Sequence, residues 1–131
     1  MRFLTHFAVA AALSAVAVGT AHAGRETPEA EYQKLIAGKT PGKPVDCIDT
    51  RFDPPSLSAY GDKLIYRVSN ELVYVNQSTG GCQGVARGDV LVTRQFQSRL
   101  CRGDIAQTVS VPPGMPTGSC ALGSFTPYRA Q

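Results

Sequence analysis

Leu64, Tyr66 and Val68 alternate with Lys63, Ile65 and Arg67, the two-residue period of a half-buried strand. Leu72, Val73, Tyr74 and Val75 follow, rich in the branched and aromatic side chains that suit a pleated surface. Ser69-Asn70 lies between the two runs, and Asn70 tolerates the positive φ of a tight turn. The stretch 60–75 therefore predicts a β-hairpin at the centre of the chain.

Upstream the period changes. Thr27-Pro28 reads as an N-cap followed by a proline at the first helical position, with Glu29 and Glu31 near the positive end of the helix. Tyr32, Leu35 and Ile36 share one face and Gly38 supplies the stop. So short a helix needs that face packed to persist, and docking on the protein's own sheet meets the need. Lys39 to Pro44 reads as a stiff connector.

Downstream, further strands are expected at Cys47–Phe52, Asp89–Phe96, Ile105–Val111 and Cys120–Phe125, with Pro127 ending the last. Gly61-Asp62, Gly88-Asp89 and Gly103-Asp104 each precede a strand-like run. Glycine takes the turn conformation there and aspartate bonds nearby amides, so the pair punctuates strand entry. The spacing of these pairs is too uneven for a repeat, and they lack the dense acidic cluster of a calcium loop. The fold class that follows is mainly β: a small antiparallel sheet, sandwich or partly closed barrel with one short N-terminal helix and two disulfides.

Met1 to Ala23 combines Arg2, an apolar run from Phe7 to Val18 and the small-x-small site Ala21-His22-Ala23, the parts of a secretory signal peptide. The run falls short of the ~20 residues of a membrane span. The expected organisation is a signal peptide over 1–23, a short helix and linker over 24–44, and a disulfide-braced β domain over 45–131. Cleavage after Ala23 places the protein in the periplasm or outside a bacterial cell, with no stable membrane span.

Export bears on the cysteines. Cys47, Cys82, Cys101 and Cys120 form an even set, which in an oxidising compartment reads as two disulfides. Four cysteines allow three pairings; the favoured one is Cys82–Cys101 within a longer Cys47–Cys120 clasp. No C-x-x-C pair is present to suggest zinc or thioredoxin-like chemistry.

Charge adds little. The full chain carries a formal +3, and loss of Arg2 leaves about +2, too weak to imply nucleic acid as a partner. Both histidines, His6 and His22, leave with the signal segment, which removes the Ser-His-Asp and Cys-His mechanisms from the mature chain. Asp46, Asp49 and Asp53 could supply a carboxylate pair for glycoside hydrolysis, though no tryptophan accompanies them. Gly80–Gly84 lacks the pattern of a phosphate loop. Arg102-Gly103-Asp104 spells an adhesion tripeptide but also fits strand entry, and Asn76-Gln77-Ser78 matches a glycosylation acceptor with no use in a bacterial chain. No cofactor or metal site is expected. Arg51, Arg67 and Arg94 fall on three expected strands with Tyr66 and Tyr74 nearby, a candidate binding surface if the register gathers them.

Cys47-Ile48, Tyr74-x-Asn76, Cys82, Leu100-Cys101-Arg102-Gly103-Asp104 and Cys120-Ala121-Leu122-Gly123-Ser124-Phe125-x-Pro127 together carry a resemblance. From Val45 onward the chain resembles small exported proteobacterial proteins carrying a cysteine-containing domain of unknown function. The resemblance implies periplasmic residence and a cysteine-braced domain, and supplies no catalytic residues. The expected function is a non-enzymatic domain that binds a protein or envelope component. The alternatives are a small secreted hydrolase inhibitor presenting Gly80–Gly84 or Pro112–Gly118, and a carbohydrate-active enzyme using Asp46–Asp53.

Overall fold

The hairpin centred on Ser69 and Asn70 forms the middle of a five-stranded antiparallel sheet. β4 (Lys63–Arg67) pairs with β5 (Leu72–Gln77), setting Tyr66 opposite Tyr74. The connection is longer than the two-residue turn expected. The Ser69 hydroxyl accepts from the amides of Glu71 and Leu72, and Asn70 has no positive φ. A four-residue connection closes without a left-handed residue, so the serine rather than the asparagine makes this turn. The structure, a computed structural model, describes residues 24–51, 54–95, 97–112 and 114–131. The expected signal peptide (1–23) and the strand ends expected at Phe52 and Phe96 lie outside the described residues.

The helix forms where its caps predict. α1 spans Pro28–Ile36, and Thr27 Oγ1 accepts from the amide of Ala30. Tyr32, Leu35 and Ile36 pack with Ile65, Val73, Val75 and Tyr128, so the helix covers one face of the five-stranded sheet. Lys63 Nζ sits 5.2 Å from the Tyr32 ring centroid and 3.7 Å from Glu29. The segment expected to be a linker is part of this sheet: Lys39–Pro41 forms β1, paired with β11 (Phe125–Ala130). The sheet order is β1-β11-β5-β4-β3, with β3 spanning Ser56–Tyr60.

Its other face carries the main core. Leu64, Tyr66, Ala59 and Phe125 meet Ala106 and Cys120 of a second sheet and Ile48 and Leu100 of a third. The second sheet has the order β6-β10-β9-β7: β6 Thr79–Gly80, β7 Val90–Thr93, β9 Ile105–Val109 and β10 Pro116–Ala121. The third pairs β2 (Cys47–Asp49) with β8 (Arg99–Cys101). The layers thus run helix, five-stranded sheet, four-stranded sheet. β4, covered on both faces, buries Leu64, Ile65 and Tyr66. The fold is mainly β, with antiparallel sheets that do not close into a barrel.

Two expectations are corrected by the strand register. The bridges are Cys47–Cys101 and Cys82–Cys120, not Cys82–Cys101 and Cys47–Cys120. Cys47 stands directly opposite Cys101 in the β2–β8 ladder, with Cα atoms 4.0 Å apart, so pairing across the ladder decides the partner. Cys82 and Cys120, Cα atoms 5.5 Å apart, are both buried in the core. The second correction concerns the end of the chain. An irregular connection occupies 122–124 where a strand over Cys120–Phe125 was expected, and Pro127 lies inside β11. The Pro127 carbonyl accepts from Gly42, on the β1 flank. A residue's N–H points to the same side as its C=O, so the donor that proline lacks falls where short β1 is already ending.

All three Gly-Asp pairs act at strand entries. Gly61, Gly88 and Gly103 have φ of 63°, 98° and 91°, ahead of β4, β7 and β9. Gly61 is the first of two residues joining β3 to β4, the place where a II′ hairpin turn needs it. Asp104 accepts from the amide of Cys101 at 2.8 Å, and Asp62 accepts from Gln77 Nε2 at 3.0 Å. Asp89 accepts from the Thr117 hydroxyl at 2.6 Å, tying the start of β7 to β10 at its register shift.

Candidate functional site

β7 and β9 lie next to each other in the four-stranded sheet, with Val92 opposite Gln107 and Val90 opposite Val109. Alternation sends Leu91, Ala106 and Thr108 inward and Val90, Val92, Ile105 and Gln107 outward. The outward residues are exposed: Val90 by 49%, Val92 by 46% and Ile105 by 59%. An antiparallel sheet with one face in water normally alternates apolar inside with polar outside. Here three apolar side chains stand on the outer face beside Gln107.

A cleft of about 670 Å³ opens over this face, lined by Val92, Ile105 and Gln107 together with Arg94, Arg99 and the Gly103-Asp104 turn. The volume is within the ordinary range of ligand sites. Cys101 also lines it, so the Cys47–Cys101 bridge fixes one wall. Arg94 and Arg99 form no ion pair among the described residues. Asp49 faces Arg99 across the β2–β8 ladder, but its carboxylate is engaged by Arg51 Nη2 at 2.6 Å. Those hydrogen bonds lower the Asp49 pKa to about 2. Asp104, the carboxylate lining the cleft, accepts from the Cys101 amide.

The five residues expected to form a binding surface are dispersed. Tyr66 is core: it is 3% exposed and its ring meets Phe125 edge-on at 5.6 Å between centroids. Burial raises its pKa well above the ordinary tyrosine value, and its hydroxyl has no hydrogen-bond partner among the described residues. Tyr74 packs against the same core from the adjacent strand. Arg67 projects from the opposite side of β4, beside a shallow groove shared with Leu35 and Tyr60 of the helix side. Arg51 is bound to Asp49 beyond β2. Arg94 alone of the five lines the cleft. Arg99 was not singled out by the sequence, because a three-residue strand has no period to read. The signal that could have found the surface is the unbroken apolar run Val90-Leu91-Val92.

The carboxylates proposed for hydrolysis are engaged separately. Asp46 lies 3.2 Å from Arg102 Nε, Asp49 is held by Arg51, and Asp53 lies outside the described residues. A group with a pKa near 2 is a poor proton donor at neutral pH, which argues against Asp49 as a general acid. Among the described residues no group of His, Cys, Asp and Glu could hold a metal ion. In Arg102-Gly103-Asp104 the arginine pairs with Asp46 and the aspartate caps the β8–β9 turn. Asn76 is fully buried; its amide donates to the Gly123 carbonyl at 2.7 Å and its oxygen accepts from the Gly123 amide at 2.9 Å.

Those contacts explain what the motif pieces do. The Gly103 amide donates to the Leu122 carbonyl and the Leu122 amide to the Asp104 carbonyl, so Leu100–Asp104 and Cys120–Phe125 are bonded to each other. Asn76 joins them through Gly123. The pieces that carry the resemblance are scaffold, and Cys101, Gly103 and Asp104 among them form one wall of the cleft. No protein-family model, curated protein or solved structure matches the chain.

Proposed function

We propose that this chain is an exported, non-enzymatic binding domain of the periplasm that engages a protein of the cell envelope through the outer face of β7 and β9. The observation that carries the reading is the exposure of Val90, Val92 and Ile105 on a sheet face where water should select polar side chains. Two disulfides suit an oxidising compartment, as does the signal-like pattern of residues 1–23. The scaffold pieces support kinship with small exported proteobacterial domains. The test is capture from envelope extract with the mature, oxidised protein. A partner retained by the wild type and lost by the Val92→Lys, Ile105→Lys double variant supports the reading, provided circular dichroism shows the variant folded. A partner retained equally by both overturns it.

A second reading rests on the loop 110–115. The Ser110 amide donates to the Met115 carbonyl at 2.9 Å and the Gly114 amide to the Ser110 carbonyl at 2.8 Å, while Val111 and Met115 are 66% and 63% exposed. A braced loop offering apolar side chains suits insertion into a hydrolase pocket, the work of a small inhibitor. Stoichiometric inhibition of an elastase-like protease, lost in Met115→Asp, supports it; full protease activity at excess protein dismisses it.

A further inference from the structure

β7 is the last strand of its sheet. β9 flanks it on one side, and on the other its backbone makes no hydrogen bond among the described residues. A strand edge of this kind pairs readily with an incoming extended chain, the backbone giving affinity and alternate side chains giving choice. On the outer face the sequence of side chains along this edge is Val90, Val92 and then Arg94, with Arg99 across the cleft. Among the described residues the charges lining the cleft are Arg94 and Arg99 against Asp104, while beside it Arg51 is paired with Asp49, and Asp89, before the start of β7, is paired with Arg87. The edge therefore runs from apolar to cationic.

We infer that β7 receives an extended acidic peptide segment of its partner as an added strand, with apolar residues over Val90 and Val92 and carboxylates at Arg94 and Arg99. The inference rests on the proposed binding function and deepens it. Side chains that share a face alternate along a strand, so the segment has apolar residues at every second position and then acidic residues at every second position. Its direction is set by which end must meet Arg94. A carboxylate beside an arginine forms the two-pronged pair that planar guanidinium favours, and added salt weakens it while the pair stays exposed.

The experiment uses the mature oxidised protein, labelled for amide NMR, with the blocked peptide Val-Thr-Val-Thr-Glu-Thr-Glu and its reverse-order counterpart. The expected result is saturable binding of one of them, with the largest amide shifts in β7 and the Arg94–Arg99 segment. Arg94→Glu weakens it tenfold or more, and Lys in place of Glu in the peptide weakens it as much. Methylation of alternate peptide nitrogens, which leaves the side chains unchanged and removes the ladder donors, abolishes binding in one of the two phases. Equal binding of the Lys peptide, indifference to N-methylation in both phases, shifts confined to another surface, or no binding in either order overturns the inference. So does saturation of the cleft by dodecanoate with no response to peptide, which would make the ligand a small amphipathic anion. Capture of an envelope partner that depends on Val92 and Ile105 but not on Arg94 leaves the binding function standing and removes the acidic strand.

Discussion

Asn76 shows how much a single polar side chain organises. It is fully buried, yet both ends of its amide are occupied by one residue, Gly123, 47 positions away in sequence. The pair fixes the connection that leads from β10 into β11. Asn76→Ala leaves the partly buried N–H and C=O of Gly123 without their partner, and we expect a loss of about 2 kcal/mol in urea unfolding. Tyr66 is the opposite case, a buried hydroxyl with no hydrogen-bond partner among the described residues. Removing it in Tyr66→Phe costs nothing or stabilises by up to about 1 kcal/mol. The same burial has a pH consequence. The folded pKa of Tyr66 is raised above the ordinary 10.0, so its neutral form is favoured by folding. Its contribution is intact below pH 10 and is lost as pH rises above that value, because the unfolded chain ionises first. Unfolding followed from pH 9 to 12 should show Tyr66→Phe losing less stability than the wild type; those pH values bracket the ordinary tyrosine range at roughly 10.

Elements with strong local signals were legible in the sequence. Thr27 and Pro28 announce α1, the apolar periods on either side of Ser69 announce β4 and β5, and the Gly-Asp pairs mark three strand entries. What was not legible depends on partners distant in sequence. β3, Ser-Leu-Ser-Ala-Tyr, has small and polar residues after two prolines and becomes a strand because β4 offers it an edge. Pro127 reads as a stop until β1 is known to flank β11. The disulfide pairing follows from β2 meeting β8, and β8 is three residues long. Of the candidate site, the sequence singled out Arg94 alone; Val90 and Val92 fell within an expected strand, and Arg99 and Ile105 joined it only through the cleft. Backbone approach was equally hidden. A Cβ on Gly118 would run into the Gly81 carbonyl oxygen and meet Thr108 Oγ1 at 3.0 Å. Gly118→Ala should therefore cost about 3 kcal/mol or more, measured by thermal unfolding, by prising β6 away from β10.

At the scale of the whole molecule, the two bridges join segments that no tight turn connects. Cys47–Cys101 closes a span of 54 residues and Cys82–Cys120 one of 38. In the chain-entropy picture each is worth about 4 kcal/mol, a large part of the stability of a small domain. The double variant Cys82→Ala, Cys120→Ala also empties core volume, so it should lower the urea midpoint more than Cys47→Ala, Cys101→Ala. With the helix covering one side of the layers and the core filling the middle, the four-stranded sheet is left with Val90, Val92 and Ile105 exposed on its outer face. A photo-crosslinking residue placed at Val92, in the cell that produces the protein, tests that face directly. The account predicts a discrete protein adduct at Val92 and none with the same residue at exposed Glu71; no adduct at Val92, or the same adducts at both positions, would contradict it.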